Sequence, residues 1–342
     1  MAAEPVARSK VGEQRGAPVV QWAQESGELG GVLTSHRQLT TLLRRGGHEV
    51  RYVDTGSTSR AARALLRLPL RRALHLFHIT RLWRAIVLAP MFAVLPGRSV
   101  LVLHSGSTAG QVAAMRRALR WTLWQALGAY DEIWVVNEEI RTVLPRRLWD
   151  RTTVVTPFDS SVDSFDARSD GEAVPCGARQ PHALAVATNA GQAHYNADLA
   201  IEVGRRVAAE WPDVTLAILA YGNDGPSLSP LRRLATEEPW VSFSFDLPPA
   251  DVAAVLHRVG TFLRPTAWDG DSIIVREALA SGARVVASDT APRPRGVEVA
   301  PLDADALAQA VLRGGAVSDG SGITGTTMSS AATAALERLR KH

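Results

Sequence analysis

Asp269 and Glu277 stand eight positions apart in the segment Phe262 to Asp289, FLRPTAWDGDSIIVREALASGARVVASD. The segment reads as a strand ending at Arg264-Pro265, then a loop carrying Asp269, Gly270 and Asp271, then a helix. Ser272 can cap that helix and Gly282 can end it. The first amides of a helix have no partner within it. Those of Ser272 and Ile273, together with the helix dipole, therefore make a site for a diphosphate. Glu277, more than one turn further on, can accept hydrogen bonds from ribose hydroxyls, and Asp269 on the loop can accept them from sugar hydroxyls. An ordinary capped amphipathic helix would show the same pattern. No metal site is expected at Asp269 and Asp271, because no nearby His or Cys completes one.

These residues need elements that bring them to one edge, and the chain supplies an alternation suited to it. Pro18 to Trp22 reads as a strand, a Gly-rich loop through Gly30 and Gly31 follows, Val32 to Arg45 has helical spacing, and Glu49 to Val53 is a second strand. Ser99 to Leu103 is a buried-type strand that delivers His104 at its end. A helix over Arg116–Leu127 and strands over Glu132–Val136 and Thr152–Val155 complete a first lobe. After a polar stretch the pattern restarts at Ala183 and runs strand–helix to Arg313, with a last helix over Ser330–Arg340. Such alternation predicts α/β architecture with parallel sheets covered on both faces, and ligands bind outside the carboxyl ends of such strands. The expected organisation is a disordered leader over 1–17, an N-terminal lobe over 18–160, a linker over 161–181, a C-terminal lobe over 182–315, and a tail over 316–342 whose helix returns to the first lobe.

Composition sets the outer bounds. The 342 residues are 46% hydrophobic and 21% charged, ordinary for a globular protein of about two domains. A single cysteine, Cys176, excludes an internal disulfide. The first residues lack the apolar core of a signal peptide, and the apolar run Ala85–Leu95 is too short to span a bilayer. A cytoplasmic protein is expected. The net charge of +4 is uneven. Between Thr55 and Tyr130 there is no acid, while Arg60, Arg63, Arg67, Arg71, Arg72, Arg81, Arg84, Arg98, Arg116, Arg117 and Arg120 give +11, so the remainder carries −7. Leu65, Leu66, Leu68, Leu70, Leu74, Leu76 and Phe77 alternate with these arginines, as in an amphipathic surface segment. Docking to the inner face of an anionic membrane, or to an anionic lipid-linked acceptor, fits that block. A solvated helix face in a chain with only two lysines fits it equally. No nucleic-acid motif accompanies the charge, and none is expected as a partner.

The Asp269-x7-Glu277 spacing, followed by ALASGARVVASD, resembles the acid-x7-Glu motif of GT-B retaining glycosyltransferases of family GT4. The family more often has Glu-Gly-Phe-Gly where this chain has Asp269-Gly270-Asp271-Ser272. The resemblance is clear over 183–312 and looser over 18–160. It implies a GT-B fold, in which two Rossmann-like doubly wound lobes face each other across a cleft. It further implies that Asp269 contacts the donor sugar, that the Ser272 and Ile273 amides hold the diphosphate, and that Glu277 binds ribose. Gly30 and Gly31, with the later Gly-Gly-His-Glu-Val, look like the GT-B opening that brings backbone close to the donor phosphates or the acceptor. His104 looks like the family histidine that touches the donor sugar. Asn137 and Glu138 lie towards the acceptor cleft.

One departure stands out. The family commonly places an Arg and a Lys after the first strand of the C-terminal lobe to neutralise the diphosphate, and here the region Ala187 to Asp198 has neither. The phosphates would rely on the helix start and on Arg264 or Arg293. The implied function is transfer of a sugar, with retention, from a nucleoside-diphosphate sugar (UDP by frequency) to an acceptor hydroxyl, in cell-surface glycan or natural-product glycoside synthesis, without a metal or other cofactor. A catalytically silent nucleotide-sugar-binding protein and a GT-B nucleotide-sugar epimerase are the alternatives. A two-lobed solute-binding protein is a poorer match to the motif.

Overall fold

The computed structural model describes residues 16–24, 31–56, 63, 72–93, 95–159, 178–190, 192–222, 228–314 and 325–341. Gly30, Cys176, Arg60, Arg67, Arg71 and most of the expected linker lie outside the described residues.

Two six-stranded sheets, each wholly parallel, organise the chain. The first contains β1 (Gly16–Ala23), β2 (His48–Asp54), β3 (Ala73–Ile79), β4 (Gly97–Leu103), β5 (Glu132–Val135) and β6 (Thr152–Val154) in the order β2-β1-β3-β4-β5-β6. The second contains β7 (Gln180–Asn189), β8 (Thr215–Tyr221), β9 (Val241–Phe245), β10 (Val259–Arg264), β11 (Arg284–Ser288) and β12 (Val297–Ala300) in the order β12-β11-β10-β7-β8-β9. In each sheet the chain starts in the middle, runs to one edge, then returns to the other side of its first strand. The turning points are β1/β3 and β7/β10, the places where doubly wound sheets open a ligand crevice.

Helices cover both faces: α1 (Gly31–Arg45), α2 (Trp83–Leu88), α3 (Thr108–Ala114), α4 (Arg117–Gly128) and α5 (Glu138–Val143) around the first sheet. Around the second are α6 (Ala197–Ala208), α7 (Leu228–Glu237), α8 (Pro249–Arg258), α9 (Ile273–Ala280) and α10 (Ala304–Leu312). The two faces of each sheet carry separate apolar clusters. Val20, Trp22, Phe77 and Leu101 belong to one face of the first sheet, and Val19, Leu74, Leu76 and Val100 to the other. The last helix, α11 (Met328–Lys341), joins the second of these clusters through Ala332, Ala335 and Leu336, so it packs on the first sheet. It is anchored there by a parallel bridge between Thr156 and Thr327 and by a bidentate ion pair of Arg338 with Glu132 at 2.7 Å.

Three expectations change. Residues 73–79 form a central strand, not part of a helical basic surface segment: Leu74, Leu76 and Phe77 are each 0% exposed. The Arg–Leu alternation that precedes them carried the surface reading too far along the chain. Gly31 is the first residue of α1 and not a loop residue. Gln180 and Pro181, assigned to the linker, already belong to β7.

Candidate active site

The segment after β4 meets the loop after β10. A Cβ on Gly106, after β4, would lie 2.1 Å from the Asp269 carbonyl oxygen, and one on Gly270 would lie 2.7 Å from the His104 carbonyl oxygen. Only glycine permits this approach, which brings the end of β4 against the acidic loop between β10 and α9.

Asp269 is the centre of that loop. Arg264, the last residue of β10, donates from Nε to Oδ2 at 2.8 Å and from Nη2 to Oδ1 at 3.2 Å. Arg293, beyond β11, donates to Oδ2 at 3.0 Å, and the Gly270 amide donates to Oδ1 at 3.1 Å. A carboxylate offers about four acceptor positions, and these four bonds fill them. Burial alone would raise the Asp269 carboxyl, but the two guanidinium groups hold it below its ordinary value. Asp269, read from the sequence as an acceptor for sugar hydroxyls, has both oxygens satisfied by protein donors, and it fixes the loop.

The same bonds redirect the arginines. Arg264 also donates to the Ala187 carbonyl of β7 at 3.4 Å and lies over the Tyr195 ring at 4.7 Å. Arg293 spends its other donors on Thr266, Ser288 Oγ and the Ser288 carbonyl. Neither guanidinium turns to the helix start, where sequence reasoning had offered them to the phosphates. Each finds a stronger partner in the buried carboxylate. Yet Arg264 comes to rest against the segment after β7, which holds neither Arg nor Lys, so two cations against the Asp269 anion leave a net positive charge at the β7/β10 crevice.

The start of α9 has a different character, since several of its polar groups lack protein partners among the described residues. Ser272 occupies the cap position, but its side chain makes no cap bond, and its Oγ is buried without a partner among the described residues. The Ser272 and Ile273 amides have no hydrogen-bond acceptor there either. Asp271, expected to help hold the ligand, instead pairs bidentately with Arg276 at 2.7 and 2.8 Å. Burial keeps Asp271 above the ordinary carboxylate value despite that pair. Glu277 is partly buried, has no polar partner among the described residues, and is pushed by burial up to about 7.

Sequence reasoning missed several neighbours, because they converge only in three dimensions. Trp268, 38% exposed beside Asp269, stacks on His194 with centroids 3.7 Å apart. The Tyr221 hydroxyl donates to that of Tyr195 at 3.0 Å. His104 is joined by His78, from the end of β3, with Nδ1 of His78 2.9 Å from Nε2 of His104. Among the described residues no group of three or more His, Cys, Asp or Glu is placed to hold a metal ion. Asn137 caps α5 by accepting from the Ile140 amide at 2.9 Å, and Glu138 pairs with Arg141.

Two parallel six-stranded sheets with helices on both faces are the GT-B fold. Residues 181–314, which include the acidic loop and α9, match the family model described as glycosyl transferases group 1. Among solved structures, the chain is similar to HepE of Anabaena in complex with UDP and glucose: 13% identity, 94% of this chain and 98% of that one covered, TM-score 0.63. It is also similar to a sucrose-phosphate synthase from Thermosynechococcus elongatus (15% identity, 95% and 94% covered, TM-score 0.60). The catalytic domain of starch synthase IV from Arabidopsis thaliana, bound to ADP and acarbose, matches at 11% identity, 87% and 91% covered, TM-score 0.58. The chain spans 50% of the length of TarM and 52% of the pneumococcal O-GlcNAc transferase GtfA, two further structural matches. No curated protein sequence matches it.

Glu277 makes stability depend on pH in a defined direction. In the folded chain it keeps its proton up to about pH 7, and in the unfolded chain it loses it near the ordinary glutamate value of 4.5. Its contribution to stability is therefore full below pH 4.5 and lost as pH rises through 7. Glu277→Gln is expected to be more stable than the wild type at pH 8, on the order of 1–3 kcal/mol, and equal to it at pH 4.5. Urea unfolding at the two pH values measures the difference.

Proposed function

We propose that this chain is a glycosyltransferase that moves a sugar from a nucleoside-diphosphate sugar to an acceptor hydroxyl with retention. One observation carries the reading. At the β7/β10 crevice the start of α9 holds two amides, a buried Ser272 hydroxyl and the Glu277 carboxyl, all without partners among the described residues. Amides and a hydroxyl at a helix start suit two linked phosphates, and a carboxylate one turn on suits a ribose diol. The group 1 match covers this helix. The HepE structure holds UDP and the starch synthase structure ADP, each in a chain of this fold.

In this reading the sugar C1–O bond to the β-phosphate breaks, and the acceptor oxygen bonds to C1 on the same face. The acceptor proton passes to the departing phosphate oxygen, so no protein nucleophile is needed. The chain's contribution is positioning and charge stabilisation. The amides and Ser272 meet the developing diphosphate charge, the net positive crevice favours it, and Asp269 holds the loop that presents both. UDP is the first nucleotide to test, and no metal is required.

The acceptor side carries the basic block. Four of the six large apolar side chains exposed among the described residues, Trp83, Val87, Leu119 and Trp121, lie on α2 and α4. Around them stand Arg81, Arg84, Arg116, Arg117 and Arg120, with no acid between Thr55 and Tyr130. Indole rings interspersed with guanidinium groups fit the interface of an anionic bilayer, and a lipid-linked acceptor would be met there. Among the described residues no helix is long and apolar enough to cross a membrane.

A thermal-shift screen of UDP, GDP and ADP with their sugars is expected to show stabilisation by one nucleotide series. Glu277→Ala is expected to lose that shift and at least tenfold in affinity, while its circular dichroism stays unchanged. Wild-type affinity in this variant would remove the ribose assignment. An epimerase would alter the donor with no acceptor present, and a silent binder would give neither transfer nor donor hydrolysis. The protein is further expected to sediment with phosphatidylglycerol-containing vesicles at low salt and to be released at high salt. Retention in the supernatant at low salt would refute the membrane assignment.

A further inference from the structure

The reading above leaves His78 unused, although it is buried, 3% exposed, and in contact with His104. Parallel pairing of β3 with β4 places them together: Ile79 is in register with Leu103, and the His104 amide donates to the Ile79 carbonyl at 3.2 Å. The imidazoles lie 5.2 Å apart between centroids, inclined by 24°.

The 2.9 Å contact between His78 Nδ1 and His104 Nε2 requires that one nitrogen carry the hydrogen and the other accept it. The far side of His78 decides which. Its Nε2 is buried without a partner among the described residues. His36 of α1 lies 6.2 Å from the His78 ring between centroids, and both of its nitrogens are buried without a partner among the described residues. An N–H buried with no acceptor is the rarer and costlier state, so Nε2 of His78 is the bare nitrogen. Its hydrogen then sits on Nδ1 and points at His104 Nε2. A neutral His104 that accepts at Nε2 must carry its own hydrogen on Nδ1.

We propose that His78 is a positioning residue that locks His104 in the Nδ1–H form, so that His104 meets the bound donor as a hydrogen-bond donor and not as a base. Both rings stay neutral. Burial first, and His36 second, hold His104 down to about 3, and burial with its two histidine neighbours depresses His78 as well. His104 Nδ1 has no partner among the described residues, and the His104 backbone abuts Gly270 of the acidic loop. A fixed N–H there suits an oxygen of the transferred sugar or of the phosphate. It cannot take the acceptor's proton, which agrees with a phosphate oxygen doing so. The donor-facing half of the proposal rests on the function proposed above; the tautomer lock does not.

Long-range proton–nitrogen NMR of the full chain, labelled at histidine nitrogens and recorded at pH 7, tests it. Wild-type His104 is expected to show a protonated Nδ1 and a bare Nε2. His78→Phe keeps a ring but removes the donor, and His104 is expected to revert to the Nε2–H form usual for free imidazole. His78→Asn, whose amide nitrogen falls near the position of Nδ1, is expected to restore the wild-type pattern. Turnover with a donor identified in the screen is expected to fall about tenfold in His78→Phe with donor KM nearly unchanged, and to return to within about threefold in His78→Asn. An Nε2–H form in the wild type, or an unaltered tautomer in His78→Phe, overturns the lock. A sugar donor that binds tightly yet leaves the His104 Nδ1 signal unmoved overturns its donor-facing half. If no nucleotide sugar binds the wild type at all, the proposed function fails, and the lock is decided by the spectra alone.

Discussion

Two buried guanidinium groups converge on the Asp269 carboxylate where β7 and β10 part, and the rest of the crevice depends on that junction. Arg264 comes from the end of β10, Arg293 from beyond β11, and Arg264 also reaches the Ala187 carbonyl of β7. One carboxylate thus ties three neighbouring strand ends. Its four acceptor positions are filled by protein donors. Without it, two cations would remain buried with no counter-charge, a loss of about 3–5 kcal/mol for a pair of this kind. The loop it holds presses Gly270 against His104 of the other lobe and sets the direction in which α9 begins.

A contrast in satisfaction follows. The Asp269 carboxylate and the guanidinium groups of Arg264 and Arg293 have all found protein partners. One turn away, at α9, the amides of Ser272 and Ile273, the Ser272 hydroxyl and the Glu277 carboxyl have none among the described residues. Folded proteins pair buried polar groups unless something else is to pair them. The position of the unsatisfied set, at the point where the strand order reverses, is where a doubly wound sheet accepts ligands. The raised Glu277 carboxyl is the electrostatic cost of keeping that set open.

Much of this was legible in the linear chain because it rests on local rules. The α9 start, the cap position of Ser272, the end at Gly282 and most strands of the second sheet follow from short-range spacing and turn residues. The partners of Asp269 were not legible, because Arg264 and Arg293 reach it from different strand ends and nothing in their spacing announces a shared carboxylate. The same holds for His78. The strand that carries it, ALHLFHI, follows an arginine–leucine stretch and contains two histidines, so it resembled a continued surface segment. Burial on both faces of a parallel sheet removes the alternation that marks an exposed strand. The edge strand Val297–Ala300 is too short to signal itself.

A crystal structure of the chain with a bound nucleoside diphosphate tests the central claim most directly. The expected complex has a β-phosphate oxygen about 3 Å from the Ser272 and Ile273 amides, the ribose hydroxyls on Glu277, and Asp269 still clamped by Arg264 and Arg293. A nucleotide seated elsewhere, with the Ser272 hydroxyl and Glu277 still unpartnered, would contradict it.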